Sequence, residues 1–351
     1  MPAEASGAPH GRGAGGEPAR HRKKGEAQGV EALGSKDHPD GHAKREREMT
    51  FVAEEIATQP GCWRRAIALA ETVAGLPAPG ERVAVVGCGT SLFMAQAYAA
   101  LRESSGRGET DAFPASEFPY RRRYDRVVAI TRSGTTTEVV ELLRGLRCPT
   151  VALTGDTATP IAQVADEVID LGFADERSVV QTRFATTALT LLRAHLARTP
   201  AASDTAEPGV APDRPDLPEQ AAAALEAPPP AGATNRTQFT FLGAGWTVGI
   251  AHEAALKIRE ASGSWAESYP AMEYRHGPIS VTDESSVVWF FDPPPPGLAE
   301  QVERAGALVV LPELDPVAEL VRVQRLAVAL ATAKGLDPDR PRNLSRSVIL
   351  S

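Results

Sequence analysis

The sequence predicts an α/β fold built on two parallel β-sheets, and three observations carry this prediction. Short β-branched runs alternate with longer amphipathic segments, which is typical of parallel sheets covered by helices on both faces. Hydrophobic residues make up 42% of the chain, enough for a sizeable core. Each half contains a strand, a Gly-x-Gly turn and a helix, with the turns at residues 87–89 and 243–245. This echo predicts two three-layer αβα units related by a pseudo-twofold axis.

Composition divides the 351 residues into four predicted regions. Residues 1–48 contain almost no large apolar side chains and cannot bury enough surface to offset their ordering entropy. We therefore predict a disordered tail at 1–48, a first unit at 49–198, a Pro/Ala-rich linker at 199–236 and a second unit at 237–351 with a C-terminal tail. A short helix is expected inside the linker at 217–225. Met1 and Met49 are both possible start sites.

Within these units, hydrophobic periodicity places each strand and helix. Strands are predicted at 83–86, 127–130, 150–154, 167–171, 239–242, 287–291 and 307–311. Helices are predicted within 51–73 and at 92–101, 138–146, 184–196, 247–260 and 321–334.

Charge and cysteine content exclude several classes of protein. A net charge of -8 argues against a nucleic-acid surface. The three cysteines lack metal-ligand spacing, so we expect reduced thiols, a cytoplasmic location and no metal. No apolar run approaches the roughly 20 residues of a membrane span, and the N-terminus lacks a signal-peptide core. We therefore expect no membrane association.

Two hydroxyl-rich turns follow the predicted strands of the first unit. Thr90 and Ser91 follow one predicted strand, and residues 131–137 follow the next. The second turn contains Arg132 and five residues with hydroxyl groups. Ligands bind at the carboxyl ends of parallel strands, and free N–H groups of a first helical turn suit a phosphate. The alternative is that these Ser and Thr residues only cap helices. Two such turns in succession favour an anion site.

Dinucleotide binding is a weaker interpretation of the first turn. The third glycine of that fingerprint would fall at Phe93, which is bulky. A P-loop is excluded because no Gly-Lys-Ser/Thr follows.

The second unit supplies groups for acid–base chemistry. Lys257 and Glu260 are three residues apart and share a helix face, although such pairs are often exposed and weak. His252 and Glu253 on the same helix are equally compatible with ordinary helix residues. His276 precedes a Gly-Pro turn. A carboxylate can move a proton beside a carbonyl, and an imidazole can help to open a sugar ring.

An ordered set of motifs makes the sequence resemble tandem sugar isomerase (SIS) domain proteins. It is similar to the isomerase half of glucosamine-6-phosphate synthase and to SIS-type amino-sugar deaminases, from about residue 54 to the C-terminus. The motifs are Cys-Gly-Thr-Ser at 88–91, Arg-Ser-Gly at 132–134 with Thr136, Glu-Ala-Ala-Leu-Lys-Ile-Arg-Glu at 253–260, Glu-Tyr-Arg-His-Gly-Pro at 273–278 and Pro-Arg-Asn-Leu-Ser-Arg-Ser-Val at 341–348.

The resemblance implies a role for each matching position. Glu260 falls on the base that moves a proton between C1 and C2, with Lys257 as a supporting lysine. His276 falls on the ring-opening residue, which a neighbouring subunit can supply, so a homodimer is implied. The positions that would hold the sugar and its phosphate are Thr90, Ser91, Thr131, Arg132, Ser133, Thr136, the backbone of Val179, and Ser345.

Two departures from the resemblance limit what it implies. Arg346 stands where the synthase has a catalytic lysine, and an arginine stays protonated and cannot form an imine. It can still neutralise oxyanion charge and is counted among the candidate catalytic residues. The glutaminase domain of the synthase has no counterpart in the 48 residues before Met49.

These observations predict an enzyme without a metal or redox cofactor. We expect an aldose–ketose isomerase or amino-sugar deaminase that acts on a hexose 6-phosphate or an amino-sugar 6-phosphate. Two alternatives stay open: a sugar-phosphate sensor without turnover, and the isomerase subunit of a two-chain synthase.

Overall fold

The computed structural model describes residues 50–201 and 216–350. The predicted tail at 1–48 and residues 202–215 of the predicted linker lie outside these residues. The helix expected inside the linker is confirmed as Leu217–Glu226.

The first sheet contains five strands, all parallel. They are β1 Val83–Gly87, β2 Thr110–Pro114, β3 Arg126–Thr131, β4 Thr150–Thr154 and β5 Glu167–Asp170. Their order across the sheet is β2-β1-β3-β4-β5.

The second sheet contains four parallel strands in the order β7-β6-β8-β9. They are β6 Gln238–Gly243, β7 Trp265–Pro270, β8 Ser286–Phe290 and β9 Leu308–Val310. In both sheets the first strand of the chain lies between the second and the third. The α/β class with parallel sheets is confirmed, whereas the twofold relation and the domain boundaries stay predictions.

Nine α-helices connect and cover the strands in the two described segments. They are α1 Phe51–Ala57, α2 Gln59–Leu69, α3 Thr90–Ser104, α4 Thr137–Gly145, α5 Arg183–Arg198, α6 Leu217–Glu226, α7 Thr247–Ser262, α8 Leu298–Arg304 and α9 Pro316–Ala333. Each Gly-x-Gly turn joins a central strand to a helix, β1 to α3 and β6 to α7.

The sequence analysis missed β2, β7 and α8. Both strands carry polar residues, and each lies at the edge of its sheet with a neighbour on one side only. In β7 the first residue, Trp265, is 71% exposed. An edge strand needs no continuous apolar run, so hydrophobic periodicity gives little signal there.

One hydrophobic core is shared by the two sheets. Val83 and Val85 of β1 belong to the same buried cluster as Phe239 and Phe241 of β6. The alternate residues of β1 face a separate cluster on the other side of the first sheet. Side chains of α2, α3, α5, α7 and α9 fill the shared cluster. The turns after β1 and β6 therefore lead into α3 and α7, which both pack in the shared cluster.

The crossing of α3 and α7 positions the candidate site. Gly249 of α7 lies against the backbone of α3, where an added Cβ would be 2.6 Å from the Phe93 carbonyl oxygen and 2.8 Å from the Ala97 nitrogen. This close approach brings Thr90, at the start of α3, beside the middle of α7.

We expect Gly249→Ala to destabilise the protein by about 1–3 kcal/mol, because the methyl group must push two helix backbones apart. Urea denaturation followed by circular dichroism measures this loss. Gly61→Ala is the matched control, since Gly61 also lies in a helix and has nothing within 4 Å of its added Cβ. The control should gain up to about 1 kcal/mol from helix propensity. Equal behaviour of the two variants would contradict the close crossing.

Candidate functional site

A buried lysine of α7 links the two halves of the chain. Lys257 is 1% exposed, and its Nζ donates a hydrogen bond of 2.9 Å to Oγ1 of Thr90 in the first half. It also forms an ion pair with Glu260 and lies 3.4 Å from Oε1 of Glu253. Residues 253, 257 and 260 share one helix face, so one ammonium serves two carboxyl groups. This burial excludes the exposed ion pair that the sequence left open.

The two carboxyl groups beside Lys257 differ in their surroundings. Glu253 is fully buried, and this burial raises its pKa to about 8 against the opposing effect of Lys257. The side chain of Glu260 keeps 18% of its surface exposed. Burial by itself lowers the pKa of Lys257, but Glu253 and Glu260 outweigh it and the pKa is raised. The ammonium is therefore held charged against the more accessible carboxylate.

The hydroxyl-rich loop after β3 contacts the C-terminal tail. Ser133 and Thr135 donate hydrogen bonds of 3.1 and 2.9 Å to Oγ of Ser347, and the Thr136 hydroxyl lies 3.4 Å from the same atom. The N–H of Thr137, in the first turn of α4, donates to the carbonyl of Val348 at 3.2 Å. A tail serine thus occupies the centre of the group of hydroxyls predicted to hold a phosphate.

Two further hydroxyls of the predicted phosphate site are buried. Ser91 is 3% exposed in the first turn of α3. Oγ1 of Thr131 is buried and has no hydrogen-bond partner within residues 50–201 and 216–350.

Arg132 points into the protein. Its guanidinium donates to the carbonyl oxygens of Ser178 at 2.8 Å and Arg346 at 3.0 Å, and it lies 3.7 Å from Glu176. The bond to Ser178 fixes the segment that contains Val179. These contacts tie the hydroxyl loop to both neighbouring segments, and direct phosphate binding by Arg132 stays a prediction.

Arg346 is held by a carboxylate of the first half. Its Nη2 lies 2.6 and 2.7 Å from the two oxygens of Asp175. Ser345 is exposed and donates to the carbonyl of Ser347 at 2.9 Å. The tail therefore runs from α9 to the hydroxyl loop, and its Arg346 side chain is paired with Asp175.

The structure does not bring His276 to the same place. The residue is exposed at the end of a short 3-10 turn, Glu273–His276, and its imidazole forms no hydrogen bond with any residue that the structure describes. Thr90, Lys257 and Glu260 form one cluster, and Arg132, Ser133, Thr136 and Arg346 form a second around the tail.

A cavity of about 620 Å³ reaches Glu260 from another side. It is lined by the end of α7 and by the tail, including Arg259, Arg340 and Arg342, and by no residue of the hydroxyl loop. Within the described ranges, no group of His, Cys, Asp and Glu residues could hold a metal ion. None of the helices described is long and apolar enough to cross a membrane.

Three residues of the site escaped sequence reasoning as functional candidates: Glu253, Asp175 and Ser347. Glu253 precedes Lys257 by four residues, and this helical spacing is a signal that could have found it. Asp175 meets Arg346 across 171 positions of the chain, and no local pattern reports such a pairing.

Comparison with known proteins now defines the class. Residues 78–198 match the SIS domain family. A glutamine–fructose-6-phosphate aminotransferase of Gluconobacter oxydans is 30% identical over 319 residues, which cover 78% of this chain and 52% of the relative. One from Bacteroides thetaiotaomicron is 31% identical over 315 residues, covering 76% of this chain and 51% of the relative. The chain spans about half the length of these relatives.

Solved structures agree in fold. A glucosamine-6-phosphate deaminase from Thermotoga maritima has a TM-score of 0.70 at 22% identity, with 86% of this chain and 100% of that chain covered. A phosphosugar isomerase described as putative, from Silicibacter pomeroyi, has a TM-score of 0.68 at 26% identity, with 83% and 100% covered. Residues 78–198 of the chain form an SIS domain, and the resemblance inferred from its motifs is confirmed. The two relatives and the two solved structures carry the names of enzymes of sugar-phosphate chemistry.

Replacing the buried Lys257 measures how much its ammonium contributes to the stability of the protein. We expect Lys257→Met to destabilise the protein by about 3–5 kcal/mol, because it leaves buried carboxyl groups without their partner. Urea denaturation at neutral pH measures this loss.

Arg64→Met serves as the control, because it removes an exposed ion pair with Glu219 that is worth less than about 1 kcal/mol. A loss for Lys257→Met as small as that of the control would contradict the buried arrangement.

Proposed function

We propose that this protein is an isomerase or deaminase of hexose 6-phosphates in which Glu260 is the base. The observation that carries the proposal is the pairing of Glu260 with the buried Lys257, which in turn contacts Thr90 from the other half of the chain. A carboxylate paired with a fixed ammonium, yet still partly exposed, can accept a proton from a bound sugar. The names of the relatives support a sugar-phosphate substrate.

The phosphate would bind at the hydroxyl loop after β3. Ser133, Thr135 and Thr136 offer hydroxyl groups, and the first turn of α4 adds backbone N–H groups with the positive end of the helix dipole. Ser347 of the tail holds these hydroxyls together in the free protein. A bound phosphate would either displace the Ser347 hydroxyl or accept a hydrogen bond from it as well.

Glu260 would then carry one proton between two neighbouring carbons. For an aldose it removes the proton from C2, and the resulting carboxylic acid returns it to C1, so that a ketose forms. For a 2-amino sugar the same transfer places a C=N bond at C2, and water releases ammonia and the ketose. Neither route needs an imine with the protein, which agrees with the presence of Arg346 in place of a lysine. Arg346 would instead offset negative charge at the sugar oxygens.

The ring-opening group would come from a second copy of the chain. His276 is exposed and lacks a hydrogen bond within the described part of its own chain, as expected of a residue that completes a site across an interface. A homodimer with two equivalent sites is the simplest closed assembly that lets each copy supply this residue to the other.

One observation favours a second candidate, a sensor that binds sugar phosphate without turnover. Both oxygens of Asp175 pair with Arg346, so the guanidinium of Arg346 already has a partner within the protein. A sensor would bind the sugar phosphate, and Glu260 would transfer no proton.

Glu260→Gln separates the two candidates. We expect this variant to lose about 10²–10⁴-fold in turnover of fructose 6-phosphate or glucosamine 6-phosphate, because the amide cannot accept the proton. Aldose formation and ammonia release measure turnover, and calorimetry measures binding. Glu303→Gln is the control, since it changes an exposed carboxylate of α8. Binding of either sugar with no turnover by the unaltered protein would favour the sensor.

Mixing two inactive variants tests the shared site. If Glu260 of one copy works with His276 of the other, subunits carrying Glu260→Gln and His276→Ala should form mixed dimers with one intact site. Statistical mixing then restores roughly a quarter of the original activity. Activity of the mixture is measured after partial unfolding and refolding together. Mixed dimers without activity would show that each copy supplies its own histidine.

A further inference from the structure

Glu253 is the one member of the α7 cluster that the proposed chemistry leaves unused. Its side chain is completely buried, one turn before Lys257. Oε1 accepts a hydrogen bond of 3.3 Å from Thr90 and lies 3.4 Å from the Lys257 ammonium. Oε2 has no partner in the described segments. A buried carboxyl group costs free energy unless its contacts repay it, so its presence needs a reason.

The contacts of Thr90 show what this carboxyl group controls. A lysine ammonium can only donate, so the Thr90 oxygen accepts the 2.9 Å hydrogen bond from Lys257. The single hydroxyl hydrogen of Thr90 is directed to Glu253 at 3.3 Å. What remains for a ligand is a lone pair of the Thr90 oxygen. Thr90 is therefore an acceptor that suits a sugar hydroxyl and does not suit a phosphate oxygen.

We propose that Glu253 is a positioning residue, which sets Thr90 as an acceptor for a sugar hydroxyl and holds Lys257 beside Glu260. The inference rests on the proposed function, because it assigns to this site the recognition of a hydroxyl-bearing sugar rather than of phosphate alone. In this proposal, the phosphate is recognised by the separate set of hydroxyls on Ser133, Thr135 and Thr136.

Glu253 performs this role as a neutral acid. The charged groups that face it are Lys257 and Glu260, and Glu176 from the segment before α5 acts on Lys257. Two ionised carboxylates would share one ammonium, and burial penalises the more enclosed of them, which raises the pKa of Glu253 to about 8. Oε1 then accepts from Thr90 while Oε2 carries the proton. Glutamine reproduces this arrangement, with its amide oxygen in place of Oε1.

Binding measurements on two variants test the proposal. At neutral pH, Glu253→Gln should bind fructose 6-phosphate within about twofold of the unaltered protein. Glu253→Met should bind it about tenfold more weakly, because Thr90 loses the acceptor that orients its hydrogen. Inorganic phosphate should bind all three proteins equally. Glu319→Gln is the matched control, as it changes another completely buried glutamate, in α9, that contacts Arg322 and not Thr90 or Lys257.

Two binding results would overturn the proposal. A loss of inorganic phosphate binding in Glu253→Met equal to the loss of sugar-phosphate binding would mean that Glu253 only supports the fold. A loss in Glu253→Gln as large as in Glu253→Met would mean that the ionised form is required.

Melting curves without ligand test the same residue independently of the proposed function. A carboxyl group whose folded pKa is raised stabilises the protein below its unfolded pKa, ordinarily 4.5, and loses that contribution as the pH rises to about 8. The melting temperature of the unaltered protein should therefore fall relative to Glu253→Gln across this range and run parallel above it. Parallel curves throughout would overturn the neutral-acid role. If no sugar phosphate binds at all, the proposed function fails, and the melting comparison still decides the state of Glu253.

Discussion

The ammonium of Lys257, enclosed by Thr90, Glu253 and Glu260, is the interaction on which the candidate site depends. A buried charge is tolerated only when its partners surround it, and here the partners come from two different helices. The close crossing of α3 and α7 makes this possible. The site is thus a consequence of helix packing between the two sheets.

The tail provides a second constraint of a different kind. Most of its contacts with the hydroxyl loop are neutral hydrogen bonds between exposed or half-buried groups. The exception is the bond from the buried Arg132 guanidinium to the Arg346 carbonyl, and Arg346 also forms an ion pair with Asp175. Individually the neutral bonds contribute about 0.5–1.5 kcal/mol. A ligand can therefore displace parts of the tail without disturbing the core. The α7 cluster is fixed by packing, whereas the tail contacts could exchange with those of the phosphate in the proposed complex.

In the proposed function, the two clusters divide the recognition of a sugar phosphate between them. Hydroxyl and N–H donors at the start of α4 suit the charged end, and the Glu260 carboxylate suits the carbon end, where a proton must move. The cavity beside Glu260 adds open space at that carbon end, lined by Arg340 and Arg342. This division explains why one scaffold can serve isomerisation, deamination or binding alone with changes at few positions.

The sequence by itself determined the parallel α/β class and seven of the nine described strands, and it singled out the hydroxyl turns, Lys257 and Glu260 as candidates. These features are local, because strand runs and helix spacing are visible within a few residues. Only the tertiary structure decided that Lys257 is buried against Thr90, that Arg132 turns inward, that Ser347 enters the hydroxyl loop and that Asp175 pairs with Arg346. Each of these contacts joins residues more than 40 positions apart in the chain. Local patterns do not show which distant side chain will form hydrogen bonds with a given buried group. That choice is made when the helices and sheets pack against each other.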